Sequence, residues 1–155
     1  MKRFMDFIKD ERGWVTWLWS KMGVMLTFFV MLLIFVLMFN FINNVNKSDE
    51  ANQICKQFAD TVVQIYSGST GLETTFELPA LISGSEYAME VLDKGDTSGV
   101  VIHVYRDSPG SEIIAKGGAS FAVPLESYGT LHDTGDGEVI LKVRSTGDEI
   151  RIEKT

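Results

Sequence analysis

Residues 22–39 read MGVMLTFFVMLLIFVLMF, eighteen positions without a charge, and Asn40 is followed by the apolar pair Phe41–Ile42. At 1.5 Å of rise per helical residue, about 20 such residues cross a hydrocarbon core about 30 Å thick. A helix buried in a soluble protein is apolar along one stripe. This stretch is apolar all round, with Thr27 its sole hydroxyl, so lipid is the solvent that suits it. Trp14, Trp17 and Trp19 come just before it, where indole rings settle at headgroup level. Lys21 stands at the edge, its stem in lipid and its ammonium in water. Residues 22–42 are thus predicted to form a transmembrane helix in contact with membrane lipid.

Working outward, charge sets the orientation. Lys2, Arg3, Lys9, Arg12 and Lys21 precede the span, and Lys47 and Lys56 are the nearest cations after it. The positive-inside tendency places the N-terminus in the cytoplasm and residues 47–155 outside the cell membrane. A cleaved secretory signal is the competing explanation, but the apolar run is longer than a usual signal core and FNFINNVNKSDE holds no A-x-A-like site. Residues 47–155 carry nine basic and eighteen acidic side chains, a net of −9. That balance is a poor match for nucleic acid, which needs Lys and Arg in excess. The single cysteine, Cys55, excludes an internal disulfide framework and a multi-cysteine metal site.

Beyond the span, Ala51, Ile54, Cys55, Phe58, Ala59, Val62, Ile65 and Tyr66 recur at three- and four-residue spacing, the mark of an amphipathic helix. Ser67, Gly68, Ser69 and Gly71 stop it. Nothing between Trp14 and Tyr66 forces a break, although Asn43, Asn44 and Asn46 loosen the middle. A continuous helix over 14–66 would measure about 80 Å, more than twice what a bilayer needs. Its outer part would then present an apolar stripe to water, and something must cover it.

From Leu72 onward the period changes to two residues. Strands are predicted at Thr74–Leu78, Tyr87–Leu92, Gly99–Arg106, Glu112–Lys116, Ser120–Leu125, Glu138–Arg144 and Glu149–Glu153. Turns are expected at Asp93–Asp96, Ser108–Gly110, Gly117–Gly118 and Ser145–Asp148. Residues 72–155 are few for an independent core. An antiparallel sheet with one face on the Ile54–Phe58–Val62–Ile65 stripe would cover the helix and complete the core together. A sandwich, a barrel-like wrap and a single layer against the helix all satisfy this pattern. The fold class is α+β: a long N-terminal transmembrane helix extending into a small antiparallel β-sheet domain.

Chemistry-bearing motifs are few. Asp133, Asp136 and Glu138 gather oxygens beside His132 in LHDTGDGE, but their spacing departs from the calcium-loop pattern, and a solvated hairpin turn is the plainer reading. His103 shares the strand face of Val101 and Tyr105, opposite Val100, Ile102 and Val104. Cys55 reads as a small buried hydrophobe without an activating neighbour. No G-x-S-x-G, G-x-G-x-x-G, Walker loop or H-E-x-x-H is present, so neither an enzyme activity nor a cofactor is expected. Asn46-Lys47-Ser48 fits the N-x-[ST] glycan acceptor close to the membrane. G-x-x-x-G-type pairs of small residues are not expected in the span, so tight dimer packing is not indicated.

A short charged leader, Arg12-Gly13, an apolar helix that overshoots the membrane and a small C-terminal sheet together resemble the archaeal type IV pilin-like proteins, the archaellins and minor pilins. The stretch FELPALISGSEYAMEV, residues 76–91, is similar to one that opens the sheet in many such ectodomains, with Pro79 and Gly84 shaping the corner and Tyr87 starting the next strand. The resemblance implies residues 1–13 as a cytoplasmic leader with Lys9, Asp10, Glu11 and Arg12 as its charges. A leader peptidase would cut between Gly13 and Trp14, leaving Thr16 as the third mature residue. It further implies that the freed helix packs with like or related subunits in a filament. Leu18 stands where many members carry glutamate, Trp14 is a bulky first residue and Lys21 would lie near the filament core; these favour a minor, capping or merely pilin-like subunit over a major pilin. The alternative expectation is a non-polymerising single-pass protein whose β-rich ectodomain binds an envelope partner.

Overall fold

The computed structural model describes residues 11–93, 97–106, 111–126 and 128–155, without the side chains of Glu11, Arg12 and Asp93. The expected turns at 93–96 and 108–110, and the leader positions Lys9 and Asp10, fall wholly or partly outside the described residues. The chain is α+β: among the described residues a long apolar N-terminal helix, α1 (Glu11–Tyr66), is followed by seven strands in antiparallel sheets. The strands are β1 (Glu73–Leu78), β2 (Tyr87–Asp93), β3 (Ser98–Tyr105), β4 (Ile113–Phe121), β5 (Gly129–His132), β6 (Val139–Ser145) and β7 (Ile150–Lys154). Two compact units divide the chain, Met1–Ile42 and Asn43–Thr155.

α1 is 56 residues long. The three asparagines at 43, 44 and 46 do not interrupt it, because neighbouring turns hold each peptide in its i→i−4 bond and an isolated weak helix former costs only tenths of a kcal/mol to roughly 0.7. The helix stops where expected. Ser67 N donates to Val63 O at 2.9 Å, Gly68 N to Ile65 O at 3.3 Å, and Gly71 turns the chain at φ 88°.

In the second unit, β1, β6 and β7 form a three-stranded sheet in the order β1-β6-β7, and the other four form a sheet in the order β4-β3-β2-β5. Phe76 opposes Leu141, and Val143 opposes Ile152; Met89 opposes Ile102. β6 alternates buried Val139, Leu141 and Val143 with more exposed neighbours. One core contains Ala51, Cys55, Phe58 and Val62 of the helix, Val100 and Ile102 of the larger sheet, and Leu141 and Ile150 of the smaller. The last turns of α1 are therefore part of the β-rich unit's core.

The corner at residues 79–86 holds a tight turn. Ile82 and Ser85 exchange both backbone bonds (3.0 and 2.9 Å) around Ser83 at φ 45° and Gly84 at φ 73°. Two successive positive φ values are those of the tight turn whose twist matches a strand pair. The Tyr87 hydroxyl then donates to Pro79 O at 2.6 Å, tying the start of β2 to the end of β1.

Two strand expectations are overturned. Gly117–Gly118 is not a turn: β4 runs through it to Phe121, and Ser120–Leu125 is not a separate strand. The reason is steric. A Cβ on Gly117 would stand 2.5 Å from the backbone carbon of Ala51 and 2.6 Å from Asn52 N, so glycine lets the strand cross the helix in contact. Nor is LHDTGDGE a hairpin. It carries the chain from β5, paired with β2 in the larger sheet, to β6 in the smaller one.

Candidate functional site: the apolar helix and the clasp on its last turns

Within the first unit, the side chains from Trp14 to Ile42 face outward around the whole circumference of the helix. Leu18 and Met31 bracket the large apolar side chains of the stretch before Ile42, at 43% and 70% exposed. By length and composition this one helix near the N-terminus is able to cross a membrane. Water would charge each exposed apolar side chain about 25 cal/mol per Å², so the surface demands lipid or other apolar helices. Its polar atoms are disposed for that setting. Thr27 Oγ1 donates to Gly23 O at 2.8 Å, satisfying the hydroxyl inside its own helix. Lys21 Nζ lies 5.9 Å from the centre of the Trp17 ring, a cation–π distance, and Trp14 packs on Trp17 at 5.9 Å.

A seam of small residues runs along the start of the helix and into the span, contrary to expectation. Because α1 begins at Glu11, Gly13, Thr16, Ser20, Gly23 and Thr27 share one side at alternating spacings of three and four. Gly23–Thr27 is itself a small-x-x-x-small pair, so the expectation against close helix packing is withdrawn. Small side chains let helix backbones approach where water supplies no driving force.

In the second unit, the predicted stripe meets the sheets. Ile54, Phe58 and Val62 are buried and Ile65 is partly buried. The Phe58 ring stands edge-on to Phe76 of β1 at 5.4 Å and to Phe121 of β4 at 6.4 Å, touching both sheets. Polar bonds pin the helix beside it. Ser48 Oγ donates to Lys116 O at 2.9 Å, Gly118 N donates to Asn52 Oδ1 at 3.1 Å, and the Ser83 hydroxyl donates to the Glu50 carboxylate. None of these polar partners was legible beforehand, because a surface Ser or Asn carries no pattern until its strand is placed.

Cys55 is fully buried and free. Burial pushes its thiol up to about 11, against a smaller opposing pull from a backbone hydrogen bond at Ile102. Such a thiol is a packing residue, since nucleophilicity requires thiolate. A group whose pKa rises on folding stabilises the fold below its unfolded value, and that contribution is lost as pH climbs through the folded one. The urea midpoint is therefore expected to fall as pH rises from about 9 to about 11, less so in Cys55→Ala. Tyr87, whose hydroxyl is also pushed up by burial, acts in the same direction at still higher pH.

His132 corrects a further expectation. It is 1% exposed, and its ring stacks on Tyr87 at 4.2 Å with an interplanar angle of 7°. Its Nε2 lies 3.0 Å from Gly137 O and its Nδ1 3.3 Å from Tyr87 O. The segment that reads as solvated is thus anchored in the core at its second residue. Asp136 does not gather with Asp133 and Glu138 around a cation; it pairs with Lys154, which together with a backbone bond at Asp133 holds its carboxyl below the usual aspartate range. Among the described residues no three His, Cys, Asp or Glu side chains converge as metal ligands do. His103 lies on the outer face of β3 as expected, opposite Lys116. Asn46 is exposed on α1; Gly13 and Trp14 lie in its first turns, with Trp14 64% exposed. No family model, curated protein or solved structure matches this chain.

Proposed function

We propose that this chain is a membrane-anchored, pilin-like surface subunit that is built into, or caps, a type IV pilus-like filament. The observation that carries the reading is one helix with two surfaces: apolar on every side through residue 42, then gripped by β structure from Ala51 onward. A plain anchor has no need of a helix that continues into the ectodomain core. In a filament, the same apolar surface that lipid covers is covered by the helices of neighbouring subunits. The seam from Gly13 to Thr27 supports close approach of such helices, and the exposed Gly13–Trp14 peptide is the one a leader peptidase would cut. No catalytic, cofactor or nucleic-acid role is assigned.

The test is the N-terminus of the chain isolated from membranes. Sequencing is expected to begin at Trp14, and Gly13→Val is expected to leave Met1 as the first residue and remove the protein from sheared surface filaments. A wild-type chain that keeps Met1 and never enters the sheared fraction would leave a single-pass protein whose ectodomain binds an envelope partner.

A further inference from the structure

Residues 47–155 carry twice as many carboxylates as cations, yet one cleft reverses that balance. On the outer face of the three-stranded sheet, a cleft of about 290 Å³ is lined by Lys142, Arg144 and Arg151 against one carboxylate, Glu153, with Thr70 and Thr146 at its end. Most of these groups are already engaged. Lys142 bonds Glu73 at 2.9 Å, Arg151 bonds Glu153 at 2.8 Å and approaches Glu126 at 3.6 Å, and the Thr146 hydroxyl donates to Glu149 O at 2.9 Å. Arg144 and the hydroxyl of Thr70 have no partner among the described residues. Arg144 also stands directly opposite Arg151 in the β6–β7 register. Like charges so placed destabilise a strand pair, a cost that an anion between them would offset.

We propose that this cleft binds an oxyanion, a sulfate or carboxylate carried on a sugar-sized group. The guanidinium of Arg144 supplies a planar fork for two oxygens, Thr70 donates to a third, and Lys142 and Arg151 add long-range attraction. The volume is at the low end of small-molecule sites, about 300–1,000 Å³, more than a bare ion requires. An acidic glycan meets both conditions.

The experiment is calorimetry on the uncleaved full chain in neutral detergent micelles at low salt, with heparin and sodium sulfate as probes. It needs neither processing nor polymerisation, so its failure and that of the filament reading are distinguishable. Heparin binding is expected to weaken about tenfold or more in Arg144→Gln, the loss of one charged hydrogen-bonding group, and to weaken less in Arg144→Lys and Thr70→Val. Arg106→Gln removes another exposed cation, paired with Glu112 at 3.1 Å away from the cleft, and should bind as wild type. Binding unchanged in Arg144→Gln, equal loss in Arg106→Gln, or binding of sulfate without heparin (an adventitious ion only) would each overturn the proposal.

Discussion

Phe58→Ala is expected to lower the stability of the β-rich unit by about 3–5 kcal/mol, the range for emptying a buried aromatic position. That is a large share of the roughly 5–15 kcal/mol that holds a domain folded. The site is one where little relaxation is available. Phe58 is fully buried and packs edge-on against Phe76 at 78° and Phe121 at 67°. Its loss therefore loosens the helix from both sheets together. Tryptophan fluorescence is the wrong probe, because all three tryptophans lie at residues 14–19, in the other unit. Denaturant unfolding followed by amide exchange in β1 and β4 reports on the right region. Phe58→Leu should retain most of the stability. A loss below about 1 kcal/mol in Phe58→Ala, an ordinary value for any substitution, would mean that the sheets are held together without the helix.

Gly117→Val is expected to be at least as damaging. Overpacking costs about 1–3 kcal/mol where side chains make way, but here the obstacles are backbone atoms of Ala51 and Asn52 and the short side chain of Ala51, all within 2.8 Å of a new Cβ. Either the helix or β4 must move, and with it the bonds from Ser48 to Lys116 and from Gly118 to Asn52. The neighbouring glycine is the control. A Cβ on Gly118 meets nothing closer than Val100 O at 3.4 Å, so Gly118→Ala should cost far less than Gly117→Ala. Thermal unfolding of the two variants, with exchange of the Gly118 amide as a local reporter, distinguishes a steric crossing from a generic strand defect. Equal losses would sink the explanation of why β4 carries a glycine there.

Much of this architecture is written in local patterns. The run from Met22 to Ile42 can be read as a long apolar helix without any structure, because an uncharged stretch with nothing that forces a break declares itself locally. The stripe from Ile54 to Ile65 is legible for a related reason: helical period is a property of adjacent turns. The β6–β7 hairpin is equally local, its two strands joined by a short polar loop, Thr146–Glu149, one residue beyond the expected turn. At the corner, Gly84 is expected only through the family resemblance, and the positive φ of Ser83 is a finding of the structure.

What a sequence cannot express is which distant surface a residue will meet. Gly117–Gly118 has the composition of a turn, and only the backbone of Ala51 lying against it makes it a crossing point. His132 has the company of a solvated loop, and only the stacked ring of Tyr87 and the carbonyl of Gly137 make it a core residue. The division into a three- and a four-stranded sheet, like the meeting of Thr70 with Arg144 in one cleft, arises from contacts between segments far apart in the chain. Local order is set by neighbouring residues, whose periods and turns the chain displays. Register, sheet membership and charge clusters are set by long-range contacts, which exist only once the chain has closed on itself.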